Sequence, residues 1–370
     1  MSRQTDVLTL SAIDPVAVQL PAINWASINQ TAPQPAAPQP RQPDDPLPRA
    51  DIVVITWTSA EWSALDHVFA NSGSPRGNGV GAWDKDWQFY RRNTGSFTAG
   101  EHGDPLWGTF RVVTVAGATK QWNVILFHSD AHLQYQPYID GLRAMVRTIL
   151  TDVQPRYLYS IGTAGGATLA QALGDPVTTN CAQLLPGKQP NNTDPANGET
   201  FTCAGWYPPT AMFAPAQRLM FQLSDVVSAP ELQNLFERLA QKTSIGPLTL
   251  NDLLNAPLQP ENLGAPTVHS MPGVPLNTSC DFSMAPGSGS TNFAAYEEDD
   301  AVVGEVAQEL HVNFAFIRNV SDPVVPDHTA SGTIIAADIR RNWAGLLYDR
   351  YGLITASNGA LATWAAIAAS

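Results

Sequence analysis

The chain has 370 residues, 44% of them hydrophobic, and a formal net charge of −13, which is material for one large core or two ordinary ones. That charge argues against a nucleic-acid-binding surface, which needs a basic stripe, although a few local arginines would suffice for a single nucleotide. Cys181, Cys203 and Cys280 form no CxxC pair, so neither a disulfide scaffold nor a zinc site is expected, and a reducing compartment is the default.

Residues 1–49 stand apart as a Pro-rich N-terminal arm or linker. Thr31 to Pro43 is polyproline-like spacer, which cannot pack a core. The stretch Val16–Trp25 before it is apolar enough to dock on the body of the chain or on another subunit, with a disordered tail as the alternative. Order begins at Ala50–Trp57, a buried strand. A helix follows, capped by Thr58 or Ser59, with Trp62, Leu65, Val68 and Phe69 on one face and Glu61 in its first turn. Phe110–Val115 and Trp122–Phe127 read as a hairpin. Tyr138 to Asp152 has helical periodicity and leads into the strand Arg156–Ile161, which ends on the glycine-rich loop Gly162-Thr-Ala-Gly-Gly166. From Cys181 to about Ser290 regularity fades, and this segment is read as an insertion near the site, within one domain over 50–370. A helix over Glu297–Leu310, a strand from Val312 to Asp322 and helices from Asn342 complete the chain. Alternating strands and helices give an α/β class. No signal segment and no apolar run near the ~20 residues of a membrane span are visible, so a soluble, cytoplasmic protein is expected.

Chemistry concentrates at two strand ends, where ligands bind in open α/β sheets. One carries the glycine-rich loop and the other carries Arg318-Asn-Val-Ser-Asp322. A carboxyl at Asp322 would be protonated near neutral pH if burial raised its pKa; capping the segment after Pro323 is the plainer reading. Glu61 has a plainer reading too, as an acid in a first helical turn. The run Tyr296-Glu-Glu-Asp-Asp300 also reads as a solvated helix start. Gly162, Gly165 and Gly166 do not make a dinucleotide loop, because Gly174-Asp175 turns too soon. Gly287-Ser-Gly289 lacks the spacing and strand of a hydrolase elbow. His128 and His132, at i, i+4 with no zinc-protease glutamate between, are read as surface or packing histidines.

The succession strand–Glu61–helix, Gly162–Gly166, the acidic run, then Arg318–Asp322 resembles the purine nucleoside phosphorylase and nucleosidase superfamily, closest to the methylthioadenosine/S-adenosylhomocysteine nucleosidases, over about residues 51–325. The resemblance implies a nucleoside phosphorylase-like three-layer α/β fold, with a central mixed, mostly parallel twisted sheet flanked by helices. It implies Asp322 as the acid that protonates a purine ring nitrogen, and Glu61 as the group that holds and deprotonates water. Ungapped alignment puts Asp299 on the family's sugar-binding glutamate and Glu298 on its methionine, a departure that leaves the register open by one. Arg318 would organise the site or face phosphate, or pair with Glu61 or Asp299. Ser321, Ser160 and the stretch Gly162, Thr163, Ala164 and Gly165 would meet sugar or phosphate oxygens, and Phe282 and Asn292 the base.

The function expected is hydrolysis of the N-glycosidic bond of a purine nucleoside or nucleotide, with no cofactor, metal, nucleic acid or membrane, in a homo-oligomer (dimer or hexamer). Hydrolysis is preferred to phosphorolysis because Glu61 is available and Phe127–His132 lacks the phosphorylases' glycine pattern. A nucleotide-cleaving effector of antiphage defence, a phosphorylase and a non-catalytic nucleoside-binding module are the alternatives. If the resemblance holds, Glu61, Gly165, Asp299 and Asp322 meet in one pocket, with residues 181–290 over or beside it.

Overall fold

The computed structural model describes residues 19–76, 86–90, 107–134, 138–188, 191–290 and 292–370. Val16–Val18 of the expected docking stretch lie outside the described residues. Among the described residues thirteen strands form one mixed sheet. They are β1 (Gln34–Pro35), β2 (Ile52–Thr56), β3 (Gln88–Tyr90), β4 (Gly108–Ala116), β5 (Gln121–Ser129), β6 (Tyr157–Gly166), β7 (Pro176–Thr179), β8 (Cys181–Leu184), β9 (Thr200–Thr202), β10 (His269–Ser270), β11 (Leu276–Thr278), β12 (Ala295–Glu297) and β13 (Asn313–Asp322). The longer helices are α1 (Ser59–Phe69), α2 (Tyr138–Val153), α3 (Ala229–Lys242), α4 (Asp300–Glu309) and α5 (Ala337–Ala369).

The centre of the sheet is parallel, in the order β5, β2, β6, β13. The β4–β5 hairpin and the pairs β6–β12, β7–β13 and β8–β9 are antiparallel. Strand β2 is buried on both faces, and its alternating side chains divide between two cores. Val53 and Ile55 join the core under α2 and α4, while Ile52 and Val54 join the core under α1 and α5. Helices therefore cover both faces of the sheet.

Three segments differ from the sequence reading. Gly162–Gly166 is not a loop but the last half of β6, paired with β13 as far as Gly165. Glu297 is not in a helix but ends β12, and α4 starts at Asp300. Residues 181–290 supply β8, β9, β10 and β11 to the sheet, and Ala182, Leu184, Phe201 and Leu276 lie in its core. The described part of the N-terminal arm docks on the body. Leu20, Ile23, Trp25, Ile28 and Leu47 are buried, and Trp25 packs edge-on against Trp364 at 4.6 Å.

Helix α5 is long and apolar enough to cross a membrane by length and composition, yet 89% of its apolar window is buried inside the protein. Thr355, Ser357, Asn358 and Thr363, all buried, interrupt the apolar run, which is why the sequence shows no span there. Its last half fills the core beside β6 and β13, and its first half reaches the sheet's carboxyl edge.

Candidate active site

The site forms where β6 loses a neighbour. One edge of β6 is paired with β13 throughout. On the other edge β2 leaves after Ser160, and β12 joins only at Gly165. Residues Ile161–Ala164 face this gap, and a buried strand cannot leave its N–H and C=O groups unmet. Two side chains close it. Glu61 Oε1 accepts the Thr163 N–H at 2.6 Å and its hydroxyl at 2.7 Å. Arg318 Nη1 donates to the Thr163 carbonyl at 3.4 Å. Both side chains lie over Gly162, where an added Cβ would strike the Arg318 guanidinium and come within 3.0 Å of Glu61 Oε1.

Glu61 reaches this position because α1 begins on a capping box with Thr58. Its second oxygen, Oε2, accepts from Trp57 N at 3.0 Å, Thr58 N at 2.9 Å and Thr56 Oγ1 at 3.2 Å. Five donors therefore surround a carboxylate that has about four lone-pair directions. Glu61 is thus the first-turn acid of α1 expected from the sequence and also a bridge to β6.

The acidic run makes a tight turn between β12 and α4. Glu297 Oε2 accepts the N–H groups of Asp299 and Asp300 at 2.7 and 2.9 Å, so the side chain of a strand residue caps the helix. Arg318 does not pair with Glu61 or Asp299. Its Nε donates to Asp300 Oδ2 at 2.7 Å and its Nη2 to Asp300 Oδ1 and to Glu297 Oε2, the latter at 3.0 Å. All three side chains are inaccessible to solvent or nearly so. Burial alone would lower the Arg318 pKa, but Asp300 and Glu297 raise it and hold the guanidinium charged. Two buried acids share one cation, and burial lifts both carboxyls above their ordinary range, with Asp300 adding repulsion at Glu297 and Glu61 adding repulsion at Asp300.

Glu298 and Asp299 turn instead toward the segment after β5. Asp299 Oδ1 accepts the Leu133 N–H at 3.0 Å, and its Oδ2 lies 3.2 Å from His132 Nε2. Glu298 Oε1 accepts from Gln134 Nε2 at 2.6 Å, and its Oε2 lies 3.4 Å from the same histidine nitrogen. His132 Nδ1 accepts the Gln134 N–H at 3.1 Å, which leaves the ring proton on Nε2 to face the two acids. Burial pushes the Asp299 carboxyl up to about 8, with Asp300 and Glu61 adding repulsion against its Leu133 bond and the Arg318 charge.

At the end of β13 the register slips between Val320 and Asp322. This irregularity turns Ser321 and Asp322 toward the open edge, a common use of bulges beside sites. Asp322 is 6% exposed, and Ser321 Oγ donates to its Oδ1 at 2.7 Å. Its Oδ2 would come within 3.0 Å of a Cβ at Gly165, so glycine at that position makes room for the carboxyl. Burial pushes Asp322 up to about 7 against the Ser321 bond, and it shares no ion pair among the described residues.

These groups line one cavity of about 360 Å³. Of the residues expected from sequence, Glu61, Thr163, Ala164, Gly165, Phe282, Glu298, Asp299, Arg318, Ser321 and Asp322 line it. Gly162 lies beneath Glu61 and Arg318 instead of in the wall. Ser160 is buried behind the wall, donating to Asp300. Asn292 is exposed, and its backbone turns on Ser290; the loop returns to the cavity only at Tyr296. Among the described residues of 181–290 only Phe282, 42% exposed, and Ser283 enter the lining. His128 and His132 are not merely packing residues. Both line the cavity, and His128 stacks on Trp62 at 4.4 Å. Trp57, Glu297, Gly345 and Tyr348 also line it and were not foreseen. Glu297 could have been suspected from its place in the acidic run. Nothing local marks Gly345 or Tyr348.

No protein-family model and no curated protein matches this chain. Among solved structures it is similar to the 5′-methylthioadenosine/S-adenosylhomocysteine nucleosidase from Neisseria meningitidis in complex with methylthio-immucillin-A, at 13% identity and a TM-score of 0.43, over 85% of this chain and 97% of that one. It is similar to futalosine hydrolase of Helicobacter pylori at 10% identity and a TM-score of 0.44, over 85% and 96%. The S-adenosylhomocysteine nucleosidase from Streptococcus pyogenes, in complex with 5-methylthiotubericidin, is similar at 11% identity and a TM-score of 0.44, over 86% and 97%. The likeness is one of overall fold at low identity, and the chemistry of the cavity rests on its own side chains.

Proposed function

We propose that this chain hydrolyses the N-glycosidic bond of an uncharged purine nucleoside, with Asp322 as the general acid. The observation that carries the reading is the state of Asp322: a buried carboxyl without a cationic partner, raised to about 7, at the open end of a strand and in the wall of a cavity. Such an acid still holds a proton near neutral pH and can give it to a departing ring nitrogen. Bond breaking develops positive charge on the sugar, as in other glycoside cleavages, and the Glu61 side chain in the cavity wall favours that charge. Glu61 and Asp322 line the same cavity, and in this reading sugar and base lie between them.

Glu61 takes the water proton in this reading. The Thr163 hydroxyl is its one rotatable donor on Oε1, and rotation of that hydroxyl frees a lone pair for water. The oxocarbenium-like sugar is a strong electrophile, so a weak base suffices. Water adds its oxygen to the anomeric carbon and its proton to Glu61, while the base leaves with the proton from Asp322. Nucleotide cleavage and phosphorolysis have less support. Among the described residues, six carboxyl residues line the cavity (Glu61, Asp130, Glu297, Glu298, Asp299 and Asp322), the one arginine or lysine in its wall is Arg318, and that arginine is already committed to Glu297 and Asp300. A phosphate would find no uncommitted arginine or lysine among the described residues of the wall.

The test is incubation of purified protein with purine nucleosides and their 5′-phosphates, with and without inorganic phosphate. Free base from nucleosides in phosphate-free buffer supports the reading. Release that requires phosphate, or that occurs from nucleotides alone, overturns it.

A further inference from the structure

Helix α5 contains three glycines, and two of them are explained by what a side chain would hit. A Cβ at Gly352 would press on the Tyr348 ring at 3.1 Å, and one at Gly359 on the Asn319 amide at 2.8 Å. Gly345 has no such reason: among the described residues nothing lies within 4 Å of an added Cβ. Glycine is the poorest helix former after proline, so packing and helix stability would both favour a larger residue there. What Gly345 does border is the cavity, together with Tyr348, three residues on and therefore on the same helix face. The Tyr348 ring is set by its neighbours, since it rests over Gly352, whose Cβ would lie 3.7 Å from Ala60 Cβ in the first turn of α1.

We infer that Gly345 and Tyr348 determine the size of substrate the site accepts, Gly345 by leaving a notch in the α5 wall and Tyr348 by closing its rim. The inference rests on the nucleoside reading, because it assigns these residues to that site. Neither adds charge to an otherwise acidic lining, so they select by shape. The space over Gly345 takes a substituent of the nucleoside, and the ring limits how far that substituent extends.

The experiment compares wild type with Gly345→Leu, Gly345→Ala, Tyr348→Ala and Tyr348→Phe on two nucleoside series of increasing size. One series is enlarged on the sugar's 5′ carbon and the other on the purine's exocyclic amine. Binding is measured by calorimetry beside kcat/KM, and thermal denaturation checks the fold. Filling the notch with leucine should cut the ratio of large- to small-substrate kcat/KM by about tenfold or more in one series. Alanine, a single methyl that favours the helix, should shift the ratio the same way by less. Tyr348→Ala should admit the next larger member, and Tyr348→Phe should behave as wild type, since shape and not the hydroxyl is at issue. Ratios equal to wild type in both series, with nucleosides still binding, overturn the role of α5 and leave the proposed activity intact. Wild-type protein that binds no nucleoside overturns the activity and this inference with it.

Discussion

Glu61→Gln is expected to cost stability as well as turnover, because the glutamine cannot meet all the donors that Glu61 satisfies. Its NH₂ must replace one carboxylate oxygen. At Oε2 it would face the N–H groups of Trp57 and Thr58, and at Oε1 only that of Thr163; the two threonine hydroxyls can rotate to accept. The better orientation therefore leaves one buried N–H against another donor, at a cost of ~1–3 kcal/mol, and weakens the remaining bonds from charge-assisted to neutral. A total of about 2–5 kcal/mol follows, a large share of the roughly 5–15 kcal/mol of a typical domain. Urea denaturation of wild type and variant, compared at equal m-value, measures it. A variant as stable as wild type would refute the idea that Glu61 bridges α1 and β6.

Arg318→Met should destabilise by about 3–5 kcal/mol at pH 8, since it strands Glu297 and Asp300 without their cation. It should recover partly at pH 5, where those raised carboxyls take up protons, and no difference between the two pH values would contradict the shared-cation arrangement. Arg318→Lys should fall between, because one ammonium cannot reproduce the fork on Asp300. Stability should decline as pH rises from about 4 to 8. The Asp322 and Asp299 carboxyls move from 3.8 to about 7 and about 8 on folding, so their contribution is complete below the unfolded value and lost as pH passes the folded one. Each contributes a slope of about 1.4 kcal/mol per pH unit in that window, and Asp322→Asn should flatten the denaturation profile measurably. An unchanged profile would mean that Asp322 is not held protonated by burial.

Local chemistry was readable where it depends on neighbours in the chain. Thr58 and Glu61 stand three apart at a strand–helix junction, and a capping box there needs no tertiary information. The hairpin of β4 and β5 and the strand ending at Asp322 follow from apolar runs bounded by turns. What the sequence could not disclose is the gap beside β6. It exists because β2 departs at Ser160 and β12 arrives at Gly165 from more than a hundred residues downstream. That gap turns Glu61 toward Thr163 and keeps Gly162–Gly166 extended instead of looped. The partner of Arg318 was misjudged for a related reason. Glu297 belongs to a strand and Asp300 opens a helix, and the sharp turn between them brings both acids to one side. Gly345 and Tyr348 lie in a helix whose pattern reads as plain core, and only its packing across α1 brings them to the cavity.

Delivery of the proton to the leaving base by Asp322 is the step on which the proposed reaction turns. It is tested by free-base release from a purine nucleoside in phosphate-free buffer, followed for wild type and Asp322→Asn across pH 5 to 9. The asparagine keeps an oxygen for the Ser321 hydroxyl but has no proton to give in catalysis. Wild type should release base with activity falling as pH rises through about 7, and the variant should be slower by ~10²–10⁴ while remaining folded. A variant that turns over at a rate close to wild type, with the same pH profile, would remove Asp322 from the reaction.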